Sequence, residues 1–430
     1  MNNTLTNDTK AIILLCGVLG KDRNTDPLSQ SEYNSLARWL VQEKLRPESL
    51  LNMDRLGDAA TGAKIERSRL EKLLGRGVQL GFAIEEWQRS GLWVISRSDP
   101  EYPSRYKTHL KEKAPPLLFG AGDKSLLRGG GLAIVGSRDV DAEGESFTRR
   151  VAEECALNRM PIVSGGARGV DQIAMRTALE SGGRTIGVLA ENLLRASIER
   201  QARYAIAEGQ MLLISPYHPQ ARFTVGTAMG RNKLIYAMAD YGLVVSAEHK
   251  KGGTWAGAEE ELKREKPVAV FVRMGEKVPT GNKKLLELGA FEWPDTIQQN
   301  DLFQQLADIA KTQPESKEVE TRPEPLGLFD FQPQEEIPTE NEPVKETAPV
   351  CPPTHEPANE APDMAIPCSI YEAVLPIILL HLKEPTAVDD LADRLDVAKG
   401  QLNVWLKKAV DDGQVRKHKN PVRFSAKRGK

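Results

Sequence analysis

The chain has 430 residues, 40% of them apolar and 27% charged, which suits a soluble protein of two to four domains with a sizeable core. Its net charge of −2 hides an asymmetry: residues 314–367 hold 13 acidic and 3 basic side chains, residues 368–430 hold 8 acidic and 12 basic, and residues 1–313 are also mildly basic. The four cysteines show no C-x-x-C spacing, which argues against a zinc module and against a disulfide-stapled secreted domain.

Taken in chain order, residues 1–90 read as a helical N-terminal domain. The apolar run Ala11–Gly20 is only about half a membrane span and lacks a cleavage signal, so it is expected to be a core helix. No membrane segment is anticipated, and the cytoplasm is the default compartment. Tyr33–Lys44 and Ala63–Leu74 carry apolar residues at three- and four-residue spacing and are expected to be helices. A strand is expected at Leu92–Ile95, followed by the turn-rich Asp99–Pro103.

From residue 131 strands and helices alternate. Strand-like runs fall at Leu132–Val135, Pro161–Val163, Thr185–Leu189, Met211–Ile214, Leu243–Val245 and Val268–Val272. Amphipathic stretches lie between them at Glu143–Leu157, Asp171–Glu180 and Asn232–Ala239. This alternation predicts an α/β domain over 91–312 with a Rossmann-like, doubly wound, mostly parallel sheet and ligand-binding loops along one edge.

Residues 313–367 include 12 of the chain's 27 prolines and many acids, so they read as a disordered acidic linker. Phe329 and Phe331 form a small apolar island in it. Residues 368–430 then suggest three helices, with Thr386 as an N-cap, and a hairpin formed by Gln414–Lys417 and Val422–Phe424. Three helices and a hairpin describe a winged helix, whose basic end suits duplex DNA.

Two loops carry the chemistry. Gly136-Ser137-Arg138 follows the first strand of the alternation and offers close backbone approach, a hydroxyl and a guanidinium fork. Ser164-Gly165-Gly166-Ala167-Arg168-Gly169 follows the next strand and opens a helix, so its amides are expected to cradle an anion. Two such loops on adjacent strands point to phosphate. Arg231, Asn232 and Lys233, read as the start of a helix, and Lys250 and Lys251, in a later loop, extend the basic edge. Six scattered histidines show no ligand spacing, so neither metal nor cofactor is expected. Trp255 suits either packing or the stacking of a base.

Gly136-Ser137-Arg138, Ser164–Asp171 and Arg231-Asn232, with Gly91–Ile95, Asp99–Pro103 and Ala114–Leu118 upstream and Asn282, Leu285, Gly289 and Ala290 downstream, resemble the DNA-processing protein A family (DprA, also called Smf). The resemblance covers about residues 90–300 and implies non-catalytic, phosphate-directed binding of single-stranded DNA, a homodimer, and loading of the recombinase RecA. DNA uptake, recombination and phage defence are the settings it implies. The chain departs from the family pattern at Ile173-Ala174-Met175, at Phe223-Thr224 and at Lys251–Trp255. The last of these, Gly252-Gly253-Thr254 with Glu259 and Glu260, faintly resembles LOG-type nucleoside monophosphate phosphoribohydrolases. That alternative reading requires a carboxylate, Glu259, beside the phosphate cradle.

Overall fold

The computed structural model describes residues 5–20, 25–275, 277–296 and 301–312, together with parts of 375–426. It divides into two units, Met1–Arg322 and Pro323–Lys430. The Pro-rich stretch with Phe329 and Phe331 lies outside the described residues.

The first unit begins with helices α1 (Asn7–Cys16), α2 (Gln30–Gln42), α3 (Leu56–Ala63), α4 (Arg67–Leu74) and α5 (Gly77–Arg89). A reciprocal box starts α2: the Ser29 hydroxyl accepts from the Glu32 amide and the Glu32 carboxylate accepts from the Ser29 amide. The helix expected over Ala63–Leu74 is present as α4 but begins only at Arg67, because the chain breaks between α3 and α4. Lys64 adopts φ 57° and the Ile65 amide donates to the Ala60 carbonyl at 3.0 Å, which closes α3 in the usual left-handed way.

These helices share their core with the sheet rather than enclosing one of their own. Ile12, Leu36, Leu70 and Trp87 pack in one cluster with Phe119, Leu193 and Leu213. The α1 end is also tied by hydrogen bonds, because Asp99 accepts from the Thr9 hydroxyl at 2.6 Å and from the Ser96 amide at 2.7 Å.

The remaining elements are β1 (Trp93–Ser96), α6 (Ser104–Leu110), β2 (Leu117–Ala121), β3 (Leu132–Val135), α7 (Ala142–Leu157), β4 (Ile162–Ser164), α8 (Val170–Glu180), β5 (Thr185–Val188), α9 (Leu193–Ile198), α10 (Arg200–Ala207) and β6 (Met211–Ser215). After them come α11 (Val225–Met238), β7 (Tyr241–Val244), α12 (Gly252–Leu262), β8 (Ala269–Val272), α13 (Thr280–Glu287), β9 (Phe291–Glu292) and α14 (Leu302–Lys311).

All nine strands form one sheet in the order β1-β2-β6-β5-β4-β3-β7-β8-β9. Strands β1 and β2 are antiparallel to their neighbours, and the other pairings are parallel. The alternation of side chains explains the near-continuous apolar runs. In β3, Ala133 and Val135 enter the core on one face while Leu132 and Ile134 enter the core on the other. The chain leaves β3 toward β4, β5 and β6 on one side and returns to β7 on the other. The strand order therefore reverses at β3, which opens a crevice at the carboxyl ends of β3 and β7.

Helix α11 starts about two turns earlier than its sequence suggests. Thr224 and Thr227 form a reciprocal capping box, so Gly226 and Gly230 lie inside the helix instead of before it. Arg231 and Asn232 consequently sit at the middle of α11, not at its start.

In the second unit, α15 (Val388–Leu395) and the antiparallel strands β10 (Val415–His418) and β11 (Arg423–Ala426) surround a small core that includes Ile378, Leu382, Leu391, Leu406 and Phe424. Helix α15 begins at Val388, so Thr386 stands one residue before the cap position; its hydroxyl donates to the Glu384 carbonyl at 2.9 Å, and its backbone pairs with Phe424. Among the described residues no helix is long and apolar enough to cross a membrane.

Candidate functional site

A groove of about 780 Å³ occupies the crevice where the strand order reverses. The loop after β3, the loop after β7, the start of α12 and one side of α11 form its walls. Its charged lining comprises Arg138, Arg231, Lys250 and Lys251 with Asp139, Asp171 and Glu248.

The β3 loop places Ser137 and Arg138 at the rim. The Ser137 hydroxyl closes a local turn, donating to the Asp139 carbonyl and accepting from the Asp139 amide, both at 3.1 Å. Arg138 is exposed, and its guanidinium lies 5.4 Å from the Phe223 ring. Gly136 serves packing: a Cβ there would stand 2.5 Å from the Val170 side chain, so its absence lets α8 approach β3.

The β4–α8 turn is occupied from within. The Gly165 and Ala167 amides donate to one oxygen of Asp171, at 3.1 and 3.4 Å. The amides expected to hold a phosphate thus hold a carboxylate of the same chain. Ser164 is fully buried, and its hydroxyl donates to the Ile134 carbonyl at 2.6 Å, beneath the groove rather than in it. Gly166 and Gly169 shape the turn with φ of 69° and 82°. Arg168 is exposed and paired with Asp139. Of this loop, the groove lining includes Ala167 alone.

Arg231 forms the floor. It is 6% exposed, and the Nη1 atom stands 4.0 Å from the Asp171 carboxylate, beyond hydrogen-bond reach. Both Nε and Nη1 are buried without a hydrogen-bond partner in the protein. The guanidinium lies directly on Gly165, where a Cβ would fall 1.3 Å from Nη1. Burial pulls the Arg231 guanidinium down from its ordinary value, with Asp171 opposing. Burial likewise pushes the Asp171 carboxyl up, against the pull of Arg231 and the two amides. The pair is desolvated, and its attraction is incompletely realised.

The opposite wall is the first turn of α12. Lys251 occupies the N-cap position and supplies no side-chain cap. Two side chains fix this turn: the Asn232 amide donates to the Gly253 carbonyl at 2.9 Å, and the Thr254 hydroxyl donates to the Gly136 carbonyl at 3.0 Å. Asn232 is therefore a positioning group for the wall. The exposed Lys250 and Lys251 stand at the groove's mouth. Lys233 lies outside the lining; burial pulls its ammonium down, against the opposing charge of Glu260.

Trp255 is buried beside His249, and its indole N–H donates to Glu259 at 2.9 Å, a packing role that leaves no free face for a base. Glu259 also accepts from Lys263 and lies outside the groove lining, so the carboxylate of the nucleotide-hydrolase reading is committed elsewhere. The structure adds an apolar shelf of Phe223, Val225 and Met229, exposed by 42%, 69% and 49%, along the same groove. In the sequence only Phe223 stands out, at the departure Phe223-Thr224; Val225 and Met229 lie in the first turns of α11.

Fold and site together define a Rossmann-like protein with a basic, partly apolar groove at its topological switch point. Residues 93–306 match the model of the DNA recombination-mediator protein A family, and the chain belongs to that family as a divergent member. It is 28% identical over 218 residues to DNA processing protein DprA of Bacillus subtilis, covering 48% of this chain and 70% of the relative. Protein Smf of Escherichia coli is 33% identical over 140 residues, covering 32% of this chain and 37% of that protein. The X-ray structure of DprA from Streptococcus pneumoniae superposes with a TM-score of 0.53 at 22% identity, covering 67% of this chain and 95% of that one, and so shares the fold.

Proposed function

We propose that the groove binds single-stranded DNA through its phosphates, with Arg231 as the buried anchor. The observation that carries this reading is the Arg231 guanidinium, buried with Nε and Nη1 unpartnered. Leaving charged donors unsatisfied costs upwards of about 1–3 kcal/mol, which an entering phosphate oxygen recovers. Arg138, Lys250 and Lys251 attract the backbone at the rim, and the Phe223–Met229 shelf gives unstacked bases an apolar surface. Duplex DNA, with its bases stacked inside, gains nothing from that shelf.

On the same reading, the second unit is a winged helix that holds duplex DNA through exposed Arg416 and Arg423, the protein works in the cytoplasm as a homodimer, and it passes strands to RecA during DNA uptake, recombination or phage defence. Salt titration of a labelled thymidine oligomer against a duplex of equal length tests the core of the proposal. Tighter binding of the single strand, with affinity falling steeply in salt, is expected; no single-strand binding at low salt overturns it. Deletion of residues 368–430 is expected to leave the single-strand affinity largely in place and to remove the residual duplex affinity. A pulldown with purified RecA tests the partner.

A further inference from the structure

The groove contains two kinds of cation. Arg138, Lys250 and Lys251 are exposed at the rim, and such solvated charges attract any phosphate without much desolvation. Arg231 is different: it lies at the floor, pressed against Gly165, with two donors closed off from solvent and unpartnered.

An anion that uses those donors has to bring an oxygen down to the floor. A phosphodiester within a strand carries a sugar on each side and only two free oxygens, so it passes across the groove more readily than into it. A phosphomonoester carries one substituent and three free oxygens, and it enters head first. Charge favours it as well. A monoester carries about −1.5 to −2 at neutral pH against −1 for a diester, and the stronger charge better offsets the burial of a guanidinium whose own counter-ion, Asp171, is 4.0 Å away. The uncapped start of α12 faces the same volume and adds its positive end.

We propose that the floor of this groove selects a terminal phosphomonoester over the internal diesters of a strand. This deepens the single-strand reading and rests on it. The monoester is that of a phosphorylated strand end or that of a free nucleoside monophosphate, and the two sources are separable.

The test compares the full chain's affinity for a 3′-labelled thymidine oligomer with a 5′-phosphate and for its 5′-hydroxyl twin. The phosphorylated oligomer is expected to bind about tenfold tighter near neutral pH, as one added charge-assisted contact gives. The advantage should shrink below about pH 6, where the monoester loses its second charge. Arg231→Gln should abolish the advantage, and Arg138→Ala should weaken both oligomers alike. Competition with thymidine 5′-monophosphate identifies the source: displacement at comparable concentration supports a nucleotide site, and failure to displace supports a strand-end site. Equal affinity of the wild-type chain for the two oligomers overturns the selectivity and leaves strand binding standing. Absence of binding to either oligomer overturns the strand reading instead. Because the wild-type comparison needs no variant, it holds whether or not Arg231→Gln folds.

Discussion

The turn before α8 and the first turn of α12 lie on the same edge of the sheet, and both contain consecutive glycines. The first is closed by its own chain, because Asp171, placed early in α8, accepts from Gly165 and Ala167. The second has no acidic residue in the first turn of α12 and a lysine at the cap, so its amides remain open. A glycine-rich turn therefore keeps its amides available to an outside anion only when the helix behind it supplies no carboxylate of its own. The closed turn still contributes: it fixes Asp171 and leaves Gly165 bare, and Arg231 rests on that bare backbone.

Substitutions on the two sides of this contrast should differ widely. Arg231→Gln should lower affinity for a 5′-phosphorylated thymidine oligomer by about a hundredfold, since removing a buried charged partner costs roughly 2–5 kcal/mol. Fluorescence anisotropy at fixed salt measures this. Gly165→Ala keeps every charge yet places a Cβ where Nη1 now sits, so the guanidinium must move. Affinity should fall about tenfold, because one misplaced charge-assisted contact is lost.

Asp171→Asn keeps an acceptor for the two amides and removes the counter-ion, which should raise affinity for the strand several-fold. Its effect on stability has a definite sign. Burial raises the Asp171 carboxyl above its ordinary value of 3.8, so folding favours the protonated form. That contribution is complete below the unfolded value and is lost as pH rises through the folded one. The wild-type chain should lose stability across that window, and Asp171→Asn should flatten the loss in denaturant melts taken at successive pH values.

The smallest effects belong to the exposed cations. Arg138→Ala, Lys250→Ala and Lys251→Ala should each weaken binding a few-fold and lower the log–log salt slope by about 0.7 where a phosphate contact is lost. Arg168→Ala should change neither by a measurable amount, because its guanidinium is paired with Asp139 in solvent. A loss at Arg168 equal to that at Arg231 would erase the distinction between the two turns.

Much of the sheet was legible because parallel strands buried on both faces read as short apolar runs, and Leu132–Val135 is a strand with the bounds its sequence suggests. The start of α11 was not legible: two glycines masked a helix that a Thr-x-x-Thr box begins. That misplacement matters, since Arg231 read as a surface cation at a helix start is a buried one in mid-helix. The composition of the β4–α8 turn was plain, but its occupancy depended on the direction of the Asp171 side chain, which spacing alone does not settle. Asn232 was visible as a polar residue near the edge, whereas its task of holding Gly253 depends on how α11 packs against α12.

The contrast between the turns can be observed amide by amide. Backbone resonances of the isotope-labelled chain, followed while a short thymidine oligomer is added, report which turn meets phosphate. The expected result is a large downfield movement of the Gly253 and Thr254 amides and of the Arg231 Nε proton, with Gly165 and Ala167 nearly still. Large movements at Gly165 and Ala167, with Gly253 and Thr254 unchanged, would contradict the account.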